Sequence, residues 1–224
     1  TPMLFSLGFL VTFLFGGVTG IILASPPLDF HVSDSYFVVA HFHYVLFGGL
    51  VFAIFSGFYF WWPKIFGHFL DERLGKINFW VMLVGFNVTF FPMHILGLTG
   101  MPRRSYRYPA GYGWTGLNQI VSVGGFLVAL ATLIFVVNVI YSAVKRKPAG
   151  GDPWDGRSLE WSIPSPPPEY NFAEIPEVRA ADDFWHRKYT EDADGRLVKL
   201  PSGGSDHAGE AGASSRSEER RVGK

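Results

Sequence analysis

Residues 36–46, YFVVAHFHYVL, place two histidines inside an apolar run that is long enough to cross a membrane. A helix turns about 100° per residue, so side chains at positions i and i+2 point about 200° apart. His41 and His43 therefore face opposite sides of one helix and cannot bind the same metal ion. If both are ligands, they serve two centres; the alternative is that neighbouring helices satisfy both rings. Ionisable groups at membrane depth are usually functional, which favours the ligand interpretation.

Four apolar runs are long enough to span a bilayer, which takes about 20 residues each. They lie near residues 3–25, 36–62, 77–99 and 116–144, and the chain that follows is polar and rich in proline and glycine. The sequence contains no cysteine, which excludes a disulfide framework and a thiolate metal site. No basic segment precedes the first run, which argues against a signal peptide. We therefore predict an all-α membrane protein with four transmembrane helices and an extended tail.

Two motifs resemble a known family. SPPLDFHVSDSYFVVAHFHYVL at residues 25–46 is similar to the tenth transmembrane helix, with its preceding loop, of subunit I of the haem-copper cytochrome c oxidases. GMPRR at residues 100–104 continues the match, which covers about residues 3–145. The tail at residues 152–178 resembles an extension found in some bacterial versions. The resemblance implies the last four helices of a twelve-helix bundle, with the N-terminal part of the subunit missing from this chain.

Charges in the loops predict the orientation of the spans, since Lys and Arg concentrate on the cytoplasmic side. The second loop and the segment after the last span are basic, whereas residues 25–35 contain no Lys or Arg. The tail should then be cytoplasmic and the third loop outside, yet that loop carries Arg103, Arg104 and Arg107. Three outer arginines need an anionic partner, for which haem propionates, lipid phosphates or local aspartates would serve. The resemblance assigns Arg103 and Arg104 to the haem propionates.

The resemblance also implies roles for four further side chains. His41 matches the proximal ligand of the high-spin haem where oxygen binds, and His43 matches an axial ligand of the low-spin haem. Asp29 matches an acidic residue near a propionate of the oxygen-binding haem, and Asp34 matches a magnesium ligand; simple solvation in the loop is the alternative for both. Ser33 stands where many members have histidine, which puts the magnesium site in doubt.

The function implied for the whole subunit is that of a terminal oxidase in a bacterial plasma membrane. It would reduce O2 to water with electrons from cytochrome c, coupled to proton translocation, together with subunits II and III. Two haems, expected to be haem A, are implied, and copper is expected to be held by the missing N-terminal part. The chain alone is therefore not expected to be active, and no nucleic-acid partner is expected.

Two other functions fit parts of the sequence. A quinol oxidase of the same superfamily would share the histidine and arginine pairs, but related quinol oxidases tend to have an amide at Asp34. A non-redox membrane transporter could line a substrate path with histidines and arginines. A path favours residues at i, i+3 or i+4 on one face, whereas His41 and His43 are two residues apart.

The predicted domains follow the change in composition. Residues 1–146 are expected to form the transmembrane helical bundle and residues 147–200 a Pro-rich cytoplasmic tail, with a disordered linker as the alternative for the tail. Residues 201–224 are Gly/Ser-rich at their start and are expected to be disordered. Within them, residues 216–224, RSEERRVGK, match a translated sequencing adapter and are predicted to be an artefact.

Overall fold

The computed structural model describes residues 1–192 and 194–200. The predictions of disorder for residues 201–224 and of an artefact at residues 216–224 therefore lie outside the described residues. The chain divides into two compact units, Thr1–Gly150 and a second unit that begins at Gly151.

The first unit is helical, and its long helices correspond to the predicted spans. Its elements are α1 (Pro2–Ala24), α2 (Pro26–Val32), α3 (Tyr36–Val45), a π-helical segment (Leu46–Val51), α4 (Phe52–Phe66), α5 (Glu72–Leu98), a 3₁₀ turn (Ala110–Tyr112) and α6 (Thr115–Lys145). Four helices among the described residues are long and apolar enough to cross a membrane: Pro2–Ala24, Tyr36–Phe66, Glu72–Leu98 and Thr115–Lys145. The prediction of an all-α membrane protein with four spans is confirmed.

Local side chains explain where α2, α3 and α5 begin. Asp71 caps α5, because its Oδ1 accepts hydrogen bonds from the backbone N–H groups of Arg73 and Leu74, both at 3.0 Å. The Ser35 hydroxyl caps α3 by accepting from the backbone N–H of Phe37 at 3.2 Å. The prolines after α1 occupy the first turn of α2, where a missing N–H leaves no hydrogen bond unmade.

Aromatic rings and close helix contacts hold the bundle together. The core is centred on buried aromatic side chains, namely Phe5, Tyr44, Phe52, Phe55, Tyr59, Phe79 and Phe86. A Cβ atom at Gly124 of α6 would collide with the backbone and hydroxyl of Thr89 on α5, and one at Gly97 would collide with the backbone of Phe37. Glycine at these two positions therefore lets α5 approach α6 and α3 closely.

The first and third loops meet beside the start of α3. The backbone N–H of Tyr36 donates to the carbonyl of Met101 at 2.9 Å, and the N–H of Arg103 donates to the carbonyl of Asp34 at 2.9 Å. Asp34 has a positive φ of 57°, a conformation that aspartate tolerates better than most residues. These contacts bring the predicted acidic and basic site residues to one end of the bundle.

The second unit contains short elements in its described part. A 3₁₀ turn spans Leu159–Trp161, α7 spans Asp183–Lys188, and β1 (Tyr189–Glu191) pairs antiparallel with β2 (Leu197–Lys199). The register places Tyr189 opposite Lys199 and Glu191 opposite Leu197. The described part of residues 183–199 thus contains a helix and an antiparallel strand pair, whereas the sequence predicts an extended tail.

One lysine joins two segments of the second unit. The Lys188 ammonium donates to Asp152 at 2.7 Å, to Asp155 at 2.9 Å and to the carbonyl of Gly156 at 2.6 Å. Burial acts to lower the pKa of Lys188, but its hydrogen bonds with the two carboxylates outweigh burial and raise that pKa. Two hydrogen bonds lower the pKa of Asp155: the one from the Tyr189 hydroxyl has the larger effect, and the one from Lys188 has the next largest.

Candidate functional site

His41 lies on the side of α3 that faces α1. Its Nδ1 is 3.0 Å from the carbonyl oxygen of Gly16 and 3.0 Å from the hydroxyl oxygen of Thr19. Because a carbonyl can only accept, Nδ1 carries the proton and donates it. The lone pair of Nε2 therefore remains available for a metal ion.

The space beside His41 depends on a glycine of α1. A Cβ atom at Gly20 would lie 3.0 Å from Cε1 of His41 and 3.7 Å from its Nε2. The first distance is tighter than ordinary van der Waals contact, so a side chain at this position would press on Cε1, between the two ring nitrogens. Gly20 therefore gives the His41 ring room between α1 and α3.

His43 lies on another side of α3 and contacts α5. Its ring stacks on Phe90, with 4.1 Å between ring centroids and 13° between ring planes. Its Nδ1 donates to the carbonyl of Val39, one turn earlier in the same helix, at 2.7 Å. The two histidines thus present two free Nε2 atoms from different sides of one helix, as the i, i+2 spacing predicts.

Arg103 and Asp34 form an ion pair at the meeting point of the two loops. Nη2 of Arg103 contacts Oδ1 of Asp34, and the backbone of Arg103 also donates to Asp34. Nε of Arg103 is buried and has no hydrogen-bond partner among the described residues. Buried N–H groups are normally satisfied, so this donor is suited to an anionic oxygen supplied by a bound group.

Asp29 and Arg104 are not part of that ion pair. Both residues are exposed, Asp29 on α2 and Arg104 in the third loop, where Arg104 adopts a positive φ of 67°. Residues 1–192 and 194–200 contain no cluster of three or more His, Cys, Asp or Glu side chains that could hold a metal ion. The arrangement can therefore offer single imidazole ligands and an arginine, but it does not offer a protein-only metal cage.

The comparison with family models decides the identity of the chain. The model for cytochrome c and quinol oxidase polypeptide I matches residues 1–127, more than half of the 224 residues. The chain belongs to the cytochrome c and quinol oxidase polypeptide I family. The matched range contains α3 with both histidines as well as Arg103 and Arg104, and the resemblance seen in the sequence is confirmed.

Individual relatives agree with this family. A Streptomyces avermitilis protein provisionally named cytochrome c oxidase subunit 1-beta is 58% identical over 198 residues, covering 86% of this chain and 35% of that protein. Cytochrome c oxidase subunit 1 of Bacillus sp. strain PS3 is 52% identical over 189 residues, covering 84% of this chain and 31% of the relative. The chain thus spans about a third of the length of these curated relatives.

A solved structure shows the same relationship at the level of the fold. A heme-copper terminal oxidase dimer, determined by cryo-EM, matches with a TM-score of 0.58 and 26% identity, covering 65% of this chain and 27% of that chain. The family description numbers this polypeptide as one chain of an enzyme with several subunits. Four helices that could cross a membrane agree with a membrane protein. The arrangement of twelve helices stays a prediction.

Several contacts around His41, His43 and Asp34 were not predicted from the sequence. Neither the contact of Thr19 with His41 nor the contact of Phe90 with His43 was predicted. A hydroxyl in an apolar span is a usable signal for Thr19, but the position of Phe90 across the helix interface is not encoded in any local pattern. The structure also gives Asp34 an arginine partner, whereas the resemblance implies magnesium.

Proposed function

We propose that this chain forms part of the catalytic subunit of a terminal oxidase, which reduces O2 to water with electrons from cytochrome c and couples the reaction to proton translocation. One observation carries the proposal. Two imidazoles on different sides of α3 each donate through Nδ1 to a backbone carbonyl, at Gly16 and at Val39, and so leave Nε2 free. One helix can therefore serve two haems.

Each histidine has a separate proposed role. His41 is the proximal ligand of the high-spin haem where oxygen binds, and His43 is an axial ligand of the low-spin haem. The haem irons, when bound, supply the redox chemistry. The protein fixes the tautomer and ring position of each ligand, and a carbonyl that accepts from Nδ1–H raises the basicity of Nε2.

The arginines are proposed to hold the haem propionates. Asp34 pairs with Nη2 of Arg103, while the buried Nε has no partner among the described residues and can donate to another acceptor. A propionate is the acceptor with matching charge, and charge-assisted hydrogen bonds of this kind are strong. Arg104 would bind a second propionate oxygen, and Asp29 would lie near a propionate of the oxygen-binding haem. A magnesium ion at Asp34 stays a prediction of the resemblance, supported only by the preference of that ion for carboxylate oxygen.

The remaining components are also proposals. We expect haem A in both positions, and copper bound by the part of the relatives that this chain does not cover. The enzyme would include subunits II and III in a bacterial plasma membrane, with the Pro-rich tail at residues 147–200 in the cytoplasm and residues 1–146 as the transmembrane bundle. This chain by itself is not expected to catalyse O2 reduction.

Quinol is the alternative electron donor, because the matching family includes both cytochrome c and quinol oxidases. Asp34 is the residue that argues for cytochrome c, and the type of haem extracted from the enzyme distinguishes the two. The transporter hypothesis has lost its basis, since the chain belongs to an oxidase family and the two histidines contact different helices.

Two substitutions in the complete subunit test the proposal. His41→Ala is expected to abolish O2 reduction and the carbon monoxide-binding signal of the high-spin haem, while the low-spin spectrum is largely retained. His43→Ala is expected to remove the low-spin signal instead. If both variants lost the same spectral component, the assignment of the histidines to two separate haems would be wrong.

A further inference from the structure

We propose that Phe90 is a positioning residue for His43, holding the plane of its imidazole ring in one orientation. The inference rests on the proposed role of His43 as an axial haem ligand. It adds a residue of α5 to a site that is otherwise built from α1, α3 and the two loops. Its basis is a face-to-face contact between the two rings.

Besides the neighbouring Phe42 ring, at 4.4 Å between centroids, two contacts act together on the His43 ring. Its edge is held by the hydrogen bond from Nδ1 to the carbonyl of Val39 at 2.7 Å. Its face lies against Phe90, at a centroid distance of 4.1 Å and an interplanar angle of 13°. Rotation of the imidazole about its Cβ–Cγ bond would bend the hydrogen bond and drive the ring edge into the phenyl face, so both contacts oppose the same motion.

Phe90 is itself supported by neighbouring rings. Its centroid lies 5.2 Å from that of Phe86 on α5 and 6.1 Å from that of Phe47 in the π-helical segment. It is half-buried and packs against the aromatic core of the bundle. Because neighbouring rings pack around Phe90, its side chain has few alternative rotamers. It therefore presents a fixed surface to the His43 ring.

The orientation of the ligand plane has a measurable consequence. The overlap of the imidazole π orbital with the iron d orbitals depends on the orientation of that plane. The magnetic anisotropy of a low-spin ferric haem depends on this overlap. Groups beside a ligand tune a metal site by fixing ring orientation. Removing the phenyl face should therefore change the electron paramagnetic resonance of the low-spin haem even when His43 remains bound.

The test uses the complete oxidase with Phe90→Leu, which keeps an apolar side chain and removes the ring. We expect the low-field g value of the low-spin haem to shift or its line to broaden beyond the wild-type width, with carbon monoxide binding by the high-spin haem unchanged. Phe90→Tyr retains the ring and should restore the wild-type signal. Phe90→Met, unbranched and close in volume, serves as a second ringless variant if Phe90→Leu does not accumulate.

The matched control is Phe135→Leu. Phe135 is also half-buried and packs against the same core, with 5.0 Å between its centroid and that of Phe55, and its substitution should leave the g values unchanged. Wild-type g values in the ringless Phe90 variants would overturn the inference while leaving the proposed function intact. Retention of the low-spin signal in His43→Ala would overturn both, because His43 would then not be the ligand.

Discussion

Replacing Asn138 with leucine is predicted to weaken the end of the bundle where α4, α6 and the second loop meet. Asn138 is fully buried. Its Oδ1 accepts from the backbone N–H of Asp71 and from the Ser142 hydroxyl, both at 3.0 Å. Its Nδ2 donates to the carbonyl of Asp71 at 3.0 Å and to the Tyr59 hydroxyl at 3.4 Å. The substitution removes all four hydrogen bonds and keeps a similar volume.

The size of the effect follows from what the partners retain. The Asp71 N–H also donates to the Ser142 hydroxyl at 2.9 Å, and the Asp71 carbonyl also accepts from the backbone N–H of Gly75 at 2.9 Å. The Tyr59 hydroxyl still donates to Asn78 at 3.3 Å. No partner is stranded, so the loss is that of ordinary hydrogen bonds between membrane helices, about 0.6 kcal/mol each. The expected destabilisation is about 2 kcal/mol, which is about 30-fold in the unfolding equilibrium.

The assay is equilibrium unfolding of the complete subunit in mixed detergent micelles, followed by the haem absorbance. Thr132→Val on the same helix is the matched control, because the exposed Thr132 hydroxyl donates only within α6, to Val128 at 3.0 Å. This control is expected to stay within about 0.5 kcal/mol of wild type. Equal stability of the Asn138→Leu and Thr132→Val proteins would refute the claim that this cluster joins the elements.

Two further predictions concern the helix interface and the anion site. Gly124→Ala places a methyl group against Thr89 and is expected to destabilise the subunit by about 1–3 kcal/mol, whereas Gly125→Ala, which meets open space, should be neutral; equal thermal unfolding of the two variants would contradict this. Arg103→Gln removes a positive charge beside the proposed propionate and is expected to lower haem reduction potentials by tens of millivolts, on the order expected for a charged hydrogen bond. Redox titration measures this shift, and unchanged potentials would separate Arg103 from the haems.

The sequence predicted the long helices well because apolar length alone identifies a membrane span. It was less accurate at their ends. The third span was expected from residue 77, but α5 begins at Glu72, because Asp71 caps a charged turn that extends beyond the apolar stretch. The second span was expected to end at residue 62, but the helix continues to Phe66. Residues at the membrane interface can extend a helix beyond its apolar run.

The site was predictable only as far as local spacing and resemblance reach. The i, i+2 spacing of His41 and His43 determines that they face different neighbours, and the structure has them contacting α1 and α5. Which atoms they meet depends on tertiary packing, so the Gly16 carbonyl and the Phe90 ring could not be foreseen. The same holds for the Arg103–Asp34 ion pair, since it joins loops that are far apart in the chain.

The central claim is that α3 carries ligands for two different haems. The most direct measurement is a reduced-minus-oxidised spectrum of membranes that express the complete gene, with and without carbon monoxide, followed by extraction and typing of the haem. The account predicts two haems in different spin states, of which one binds carbon monoxide, and haem A as the extracted pigment. Membranes with assembled subunit but no haem, or with a single spin state, would contradict it.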